Sequence, residues 1–267
     1  MIKHIKSVVI DLLISKNGFV TLRTAKSDLL SLIRKLSPVV SDKELIRLGP
    51  AGDGGYLVPN DLVGIKACFS PGVDTISGFE MDCAELGMQV FLADKSVEGP
   101  AESHELINFS KKYIGSRIDC DFDTLDNWVN SSIADDKSDL ILQIDVEGYE
   151  YEIFLSCSNE LMNRFRIIIA EFHDLDQLWN KPFFQIASSG FEKILQTHTC
   201  VHIHPNNYYP IYKKYGLKIP PLAEFTFLRN DRVLTSLPAT KFPNPLDYDN
   251  TNNAPLQLPS DWYGNKI

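Results

Sequence analysis

Leu140-Ile141-Leu142-Gln143-Ile144 runs directly into Asp145-Val146-Glu147-Gly148-Tyr149-Glu150. Five residues of almost unbroken apolar character, closed by an acidic residue and a glycine, read as a strand buried on both faces. Residues 149–155 then read as a helix. Asp145 therefore stands where a strand hands over to a helix, a place that an N-cap alone would explain.

The same alternation continues in both directions. Upstream, residues 65–69 form a short buried-type strand, 76–86 a helix stopped at Gly87, and 89–93 the next strand. A polar helix fits 102–113, a weak strand 117–122, and a short helix 125–129. Downstream, 166–170 is another buried strand and 183–189 a helix ended by Gly190, while 194–203 and 225–228 are final strands. Strands alternating with helices predict an α/β fold with a mostly parallel sheet covered by helices on both faces. Residues 1–48 read as an N-terminal helical extension, with apolar spacing over 2–13 and again over 29–36; it serves either as a dimerisation or cap element or as an ordinary helical layer. Residues 49–235 make the α/β domain. Residues 236–267, rich in Pro and Asn, make an irregular tail that Trp262 and Tyr263 pin to the body.

Composition narrows the function. The 267 residues carry 26 Lys+Arg against 35 Asp+Glu, a formal net charge of -9. An acidic chain is a poor partner for nucleic acid, whose phosphates need a basic face. The five cysteines (Cys68, Cys83, Cys120, Cys157 and Cys200) form no Cys-x-x-Cys pair, so free thiols and a cytoplasmic setting are expected. No secretory signal or membrane span is expected either.

In an open parallel sheet, ligands bind beyond the carboxyl ends of the strands. Gly72, in Ser70-Pro71-Gly72-Val73-Asp74, follows the first strand, where a glycine lets a ligand approach the backbone, although a tight structural turn explains it equally. Asp94, 22 residues later, ends the second strand and suits ribose hydroxyls, because a carboxylate accepts two hydrogen bonds from a diol. Glu171 and His173 alternate around Phe172, and with Asp145 they meet on adjacent strand ends. Two carboxylates there suit Mg²⁺; His173 is a ligand, a base or a hydrogen-bonded structural residue. His202 and His204 share one side of a later strand before Asn206-Asn207, either as a substrate-facing cluster or as part of a turn. The Gly-rich stretch 48–57 is a cofactor cover or a hairpin turn.

Together these residues resemble the FkbM-type methyltransferases, over roughly residues 47–228. Gln143-Ile144-Asp145-Val146-Glu147-Gly148-Tyr149-Glu150 is similar to the family's "KIDVEGYE" segment, with Gln143 in place of the usual Lys. Thr124-Leu125-Asp126 resembles its "TLD" step, Ile169-Ala170-Glu171-Phe172 its next strand end, and Gly52-Asp53-Gly54-Gly55-Tyr56 with Phe79-Glu80 a "DGGY" subgroup. The first strand departs: many members have Asp-x-Gly-Ala-Asn-x-Gly, and only Gly72 and the acidic Asp74 match here. The resemblance implies a Rossmann-like class I methyltransferase fold with seven strands and S-adenosylmethionine as cofactor. The implied reaction is O-methylation of a sugar or secondary metabolite, in polysaccharide biosynthesis for example. Gly72, Asp74 and Asp94 carry over as cofactor contacts, with Ser96 and Asp121 beside them; Asp145 and Glu171 carry over as metal ligands. His173, His202 and Asp145 are the catalytic candidates. A small molecule or glycan is the expected substrate. Rival readings are an NAD-dependent oxidoreductase on the same fold, which lacks its Gly-x-Gly-x-x-Gly, and a non-catalytic nucleotide- or glycan-binding module.

Overall fold

The computed structural model describes residues 20–73 and 76–264. The first expected helix and Asp74 lie outside them. Among the described residues a seven-stranded sheet forms the centre: β1 (Ala67–Pro71), β2 (Gln89–Ala93), β3 (Ile107–Ser110), β4 (Leu140–Ile144), β5 (Phe165–Phe172), β6 (His198–Pro205) and β7 (Ala223–Arg229). Their spatial order is β3-β2-β1-β4-β5-β7-β6. Pairs β1–β2, β2–β3, β1–β4 and β4–β5 are parallel, while β7 runs antiparallel to both β5 and β6. The sheet is thus mostly parallel with two antiparallel pairs.

Strand periodicity splits the core in two. Phe69, Leu142, Ile144, Ile168 and Ala170 face one cluster, packed under α1 (Lys26–Leu36), α3 (Leu125–Ser132), α4 (Glu150–Ser156), α5 (Asn159–Arg164) and α6 (Lys181–Leu195). Cys68, Ile141, Ile167 and Ile169 face the other, as residues of alternate parity must. That second face differs from expectation: besides α2 (Gly78–Glu85), a hairpin of Leu45–Leu48 with Tyr56–Pro59 covers it. The Gly-rich stretch is the turn of this hairpin, held by the Arg47 guanidinium, which donates to the carbonyls of Pro50 (2.7 Å) and Gly52 (2.6 Å).

Three local expectations are corrected. Within 102–113, Ile107–Ser110 is the edge strand β3, because Ile107 and Phe109 alternate with Asn108 and pair with Val90–Ala93. Residues 117–121 form a turn instead of a strand: the Asp119 carboxylate accepts from the backbone N–H of Asp121 (2.8 Å) and Phe122 (2.9 Å), and such local bonds compete with a ladder. Helix α6 runs through Gly190 to Leu195, because that glycine lets it approach α4; a Cβ there would sit 3.3 Å from the Tyr151 carbonyl oxygen.

All five cysteines are free, and among the described residues no helix is long and apolar enough to cross a membrane. The tail is irregular over most of its length but firmly attached. Trp262 is fully buried against Phe225 and its indole N–H donates to the Lys218 carbonyl (3.0 Å). Trp262→Ala should cost about 3–5 kcal/mol, the usual cost of emptying a buried aromatic site. Urea unfolding measures it, and a loss below about 1 kcal/mol, typical of surface changes, would show the anchor to be idle.

Candidate functional site

The chain leaves the sheet centre at β1 towards β2 and β3, and returns to the other side at β4 and β5. The order reverses between β1 and β4, and crevices open beyond the carboxyl ends of strands at such a point. A cleft of about 500 Å³ lies there, lined by Gly72, Ala93, Asp94, Ser96, Asp145, Val146 and Glu147, with Tyr113, Ile114, Phe122 and Tyr149 on its apolar side.

Gly72 is required twice. Its φ is +84°, and a Cβ on it would fall 1.4 Å from the carbonyl oxygen of Asp145. The backbone after β1 therefore lies directly on the backbone after β4. Asp94, nearly buried, fixes the neighbouring loop: Oδ2 accepts from the N–H of Val73 (3.0 Å), and Oδ1 from the N–H (2.6 Å) and hydroxyl (2.7 Å) of Ser96. A carboxylate has about four acceptor positions, so capacity remains towards the cleft. Asp121 is not among the cleft-lining residues. The Asp119 turn carries it to a half-exposed position, where it pairs with Lys95.

Asp145 and Glu171 do meet, as adjacent strand ends predict: Ala170 is in register with Ile144, and the two carboxyl groups are close enough for each to act on the other's titration. Burial, then the Glu171 charge, pushes the Asp145 carboxyl well above the usual range. Burial, then the Glu224 charge, raises Glu171 to about 8; Glu224 is its cross-strand partner on β7. Two such groups hold a shared proton, as closely placed carboxylates do. Glu171 Oε1 also accepts from the Asn206 amide (2.7 Å). A pair closed on itself in this way does not fit a hard cation, which needs open, ionised oxygens. Asp145 Oδ1 is buried and has no hydrogen-bond partner.

His173, just past β5, stands against three carboxylates. Its Nδ1 lies 3.0 Å from Glu150 Oε1, and its Nε2 lies 3.3 Å from Glu147 Oε2 and 3.9 Å from Asp145 Oδ1. Burial opposes the charged ring, but these carboxylates outweigh it and raise His173 to about 9. Asp145, Glu147 and His173 have the side-chain types and mutual spacing of a metal cluster. Both ring nitrogens face carboxylates, and the three side chains close on one another as an ion-pair cluster. His202 is elsewhere. It bonds Asp247 (2.9 Å), stacks on Phe242 and lines a separate cavity of about 480 Å³. His204 shares its side of β6, with Nδ1 3.8 Å from the same Asp247. The structure does not bring His202 to the cleft.

Residues 86–199 match the Methyltransferase FkbM domain. No curated protein matches the chain. The FkbM match covers less than half of the chain, yet it takes in Asp94, Ser96, Asp145, Glu147, Glu150, Glu171 and His173; Gly72 and His202 lie outside it. It indicates a methyltransferase in general, a family that uses S-adenosylmethionine.

Several side chains around the cleft escaped the sequence reading. Glu147 has a left-handed φ of 53° that no periodicity announces. Gln143, noted only as a departure from Lys, is the centre of a buried chain: its amide donates to the Tyr56 hydroxyl (3.1 Å), and Ser70 Oγ lies 2.5 Å from its carbonyl oxygen and 2.6 Å from Glu80. Ser70 has one proton for its two acceptors, and burial pushes the Glu80 carboxyl above its ordinary range. A lysine at 143 would have ionised this chain.

Proposed function

We propose that the chain is an S-adenosylmethionine-dependent O-methyltransferase on a Rossmann-like class I fold, acting on a sugar hydroxyl. The observation that carries this reading is the bare Gly72 backbone, which lies on the Asp145 carbonyl at the mouth of the cleft. It leaves room for a nucleotide beside the strand ends, with Asp94 for its ribose and Tyr113, Phe122 and Tyr149 for its base. Beyond Gly72 and Asp145 a smaller cavity of about 60 Å³, lined by Asp53, Tyr56, Glu80 and Gln143 among others, offers polar partners for a polyhydroxylated acceptor.

Bound there, the sulfonium supplies a methyl group on a good leaving group, so the protein mainly has to align the acceptor. The unpartnered Asp145 Oδ1 accepts a hydrogen bond from the acceptor hydroxyl and orients it. The acceptor oxygen forms its bond to the methyl carbon as the carbon–sulfur bond breaks and its electron pair stays on sulfur. The hydroxyl proton passes to His173 Nε2. His173 must be neutral to receive it, and at about 9 its pKa leaves it charged at neutral pH. Hence kcat/KM, which reports the free enzyme, should rise about tenfold per pH unit up to about pH 8 and level off near 9. A His173→Gln variant should lose that limb. A profile already flat above pH 7 would remove His173 as the base.

The direct test is calorimetric titration with S-adenosylmethionine and with NAD, followed by transfer of labelled methyl to candidate glycans. Binding of the first but not the second is expected. Asp94→Ala should weaken that binding about 10–100-fold, equivalent to about 1.4–2.7 kcal/mol. Preferential binding of NAD favours an oxidoreductase, and binding without turnover favours a recognition module; either result overturns the proposal.

A further inference from the structure

Glu150 is fully buried at the start of α4, yet no group in the mechanism above uses it. A single oxygen of it, Oε1, accepts from the backbone N–H of Val146 (3.3 Å), from that of Gly148 (3.0 Å) and from His173 Nδ1 (3.0 Å). Val146 and Glu147 line the cleft. The next residue, Tyr151, donates its hydroxyl to the carbonyl of His173 (2.7 Å). The first turn of α4 therefore holds both the ring and the main chain of His173.

A buried carboxylate is an expensive way to cap two backbone N–H groups, because desolvating the charge costs several kcal/mol. A neutral amide oxygen accepts those two bonds as well. What only an anion does well is hold a cationic ring by a charge-assisted bond. Its other oxygen, Oε2, is buried with no partner, so the carboxylate gains nothing from further neutral donors. We infer that Glu150 is the positioning residue of the site: it holds the His173 ring by Nδ1, so that Nε2 is turned towards Glu147 and Asp145, two residues that line the cleft. Carboxylate–imidazole pairs elsewhere fix the ring's orientation and tautomer in this way. The inference rests on the methyltransferase reading for its catalytic consequence, but the orientation of His173 stands apart from it.

Glu150→Gln separates the two roles, since it keeps the backbone bonds and loses the ion pair. In full-length protein with ¹⁵N-labelled histidine, the wild type should show a low-field ring N–H signal, absent from His173→Gln. Glu150→Gln should lose it, with kcat falling about 10–100-fold, less than the roughly 10²–10⁴-fold that a general acid or base itself contributes, and with S-adenosylmethionine affinity within threefold. If Glu150→Gln does not fold, Glu150→Asp, which withdraws the charge by one methylene, is read by the same signals. An unchanged signal overturns the inference whatever happens to kcat, and so does a lost signal with kcat unchanged. If the wild type transfers no methyl group, the function proposed above fails, and the signal alone decides whether Glu150 holds the ring.

Discussion

Asp145→Ala should lower methyl transfer about 10³-fold or more, the scale seen when a group aimed at the reacting atoms is removed, while the protein stays folded. Asp145 follows β4, its Oδ1 has no hydrogen-bond partner and lies 3.9 Å from His173 Nε2, and the Glu171 carboxyl stands beside it. That pair is costly in the folded state. Two carboxyls are buried side by side with Glu224 opposite, and both titrate above their ordinary range. Deleting one relieves repulsion and desolvation, so thermal stability should be unchanged or higher, as happens where a site is kept at the expense of stability. The two readouts are methyl transfer from labelled S-adenosylmethionine and a thermal melt. Near-normal turnover takes Asp145 out of the reaction. A melting temperature lowered by many degrees would make it a structural residue.

Gly72→Ala should do the opposite and cost the fold itself. The added methyl would meet the Asp145 carbonyl oxygen at 1.4 Å, and the residue would keep a φ of +84°. Neither backbone can retreat, because Gly72 N–H donates to the Ala93 carbonyl (3.0 Å) and Asp145 N–H to the Pro71 carbonyl (3.2 Å). The expected loss exceeds about 4 kcal/mol, in the exceptional range for one substitution and a large part of the usual 5–15 kcal/mol total. Gly148→Ala is the control: φ is +101° but no atom lies within 4 Å of its Cβ position, so only the backbone term applies, about 1–2 kcal/mol. Equal urea midpoints for the two variants would show that the contact with Asp145 relaxes freely.

The sequence made Asp145 and Asp94 legible because each is an acidic residue directly after an apolar strand, and Glu171 because it interrupts the apolar run of β5 one residue before its end; such signals are local. It also put Glu171 and His173 beside Asp145, since that needs only that β4 and β5 be neighbours. What it hid depends on backbone conformations without a repeat. Glu147 reaches His173 through a left-handed φ, and Glu150 folds back on its own loop. Asp121, expected as a cofactor contact, is carried away from the cleft by the Asp119 turn, which no periodicity announces. His202 and His204 were rightly set on one side of their strand. Their common partner, Asp247, lies 45 residues beyond His202 in an irregular tail with no pattern to point to it.

That tail has one more contact. Asn250 donates to Glu224 on β7 (2.7 Å) and to Asp53 in the hairpin turn (3.2 Å), across a separation of 197 residues from the latter. Segments from far apart in the chain thus meet beside the small cavity that Asp53 lines, through two polar bonds of which the one to Asp53 is exposed. Bonds of that kind part at little free-energy cost. The hairpin turn can therefore part from the tail while the scaffold stays intact.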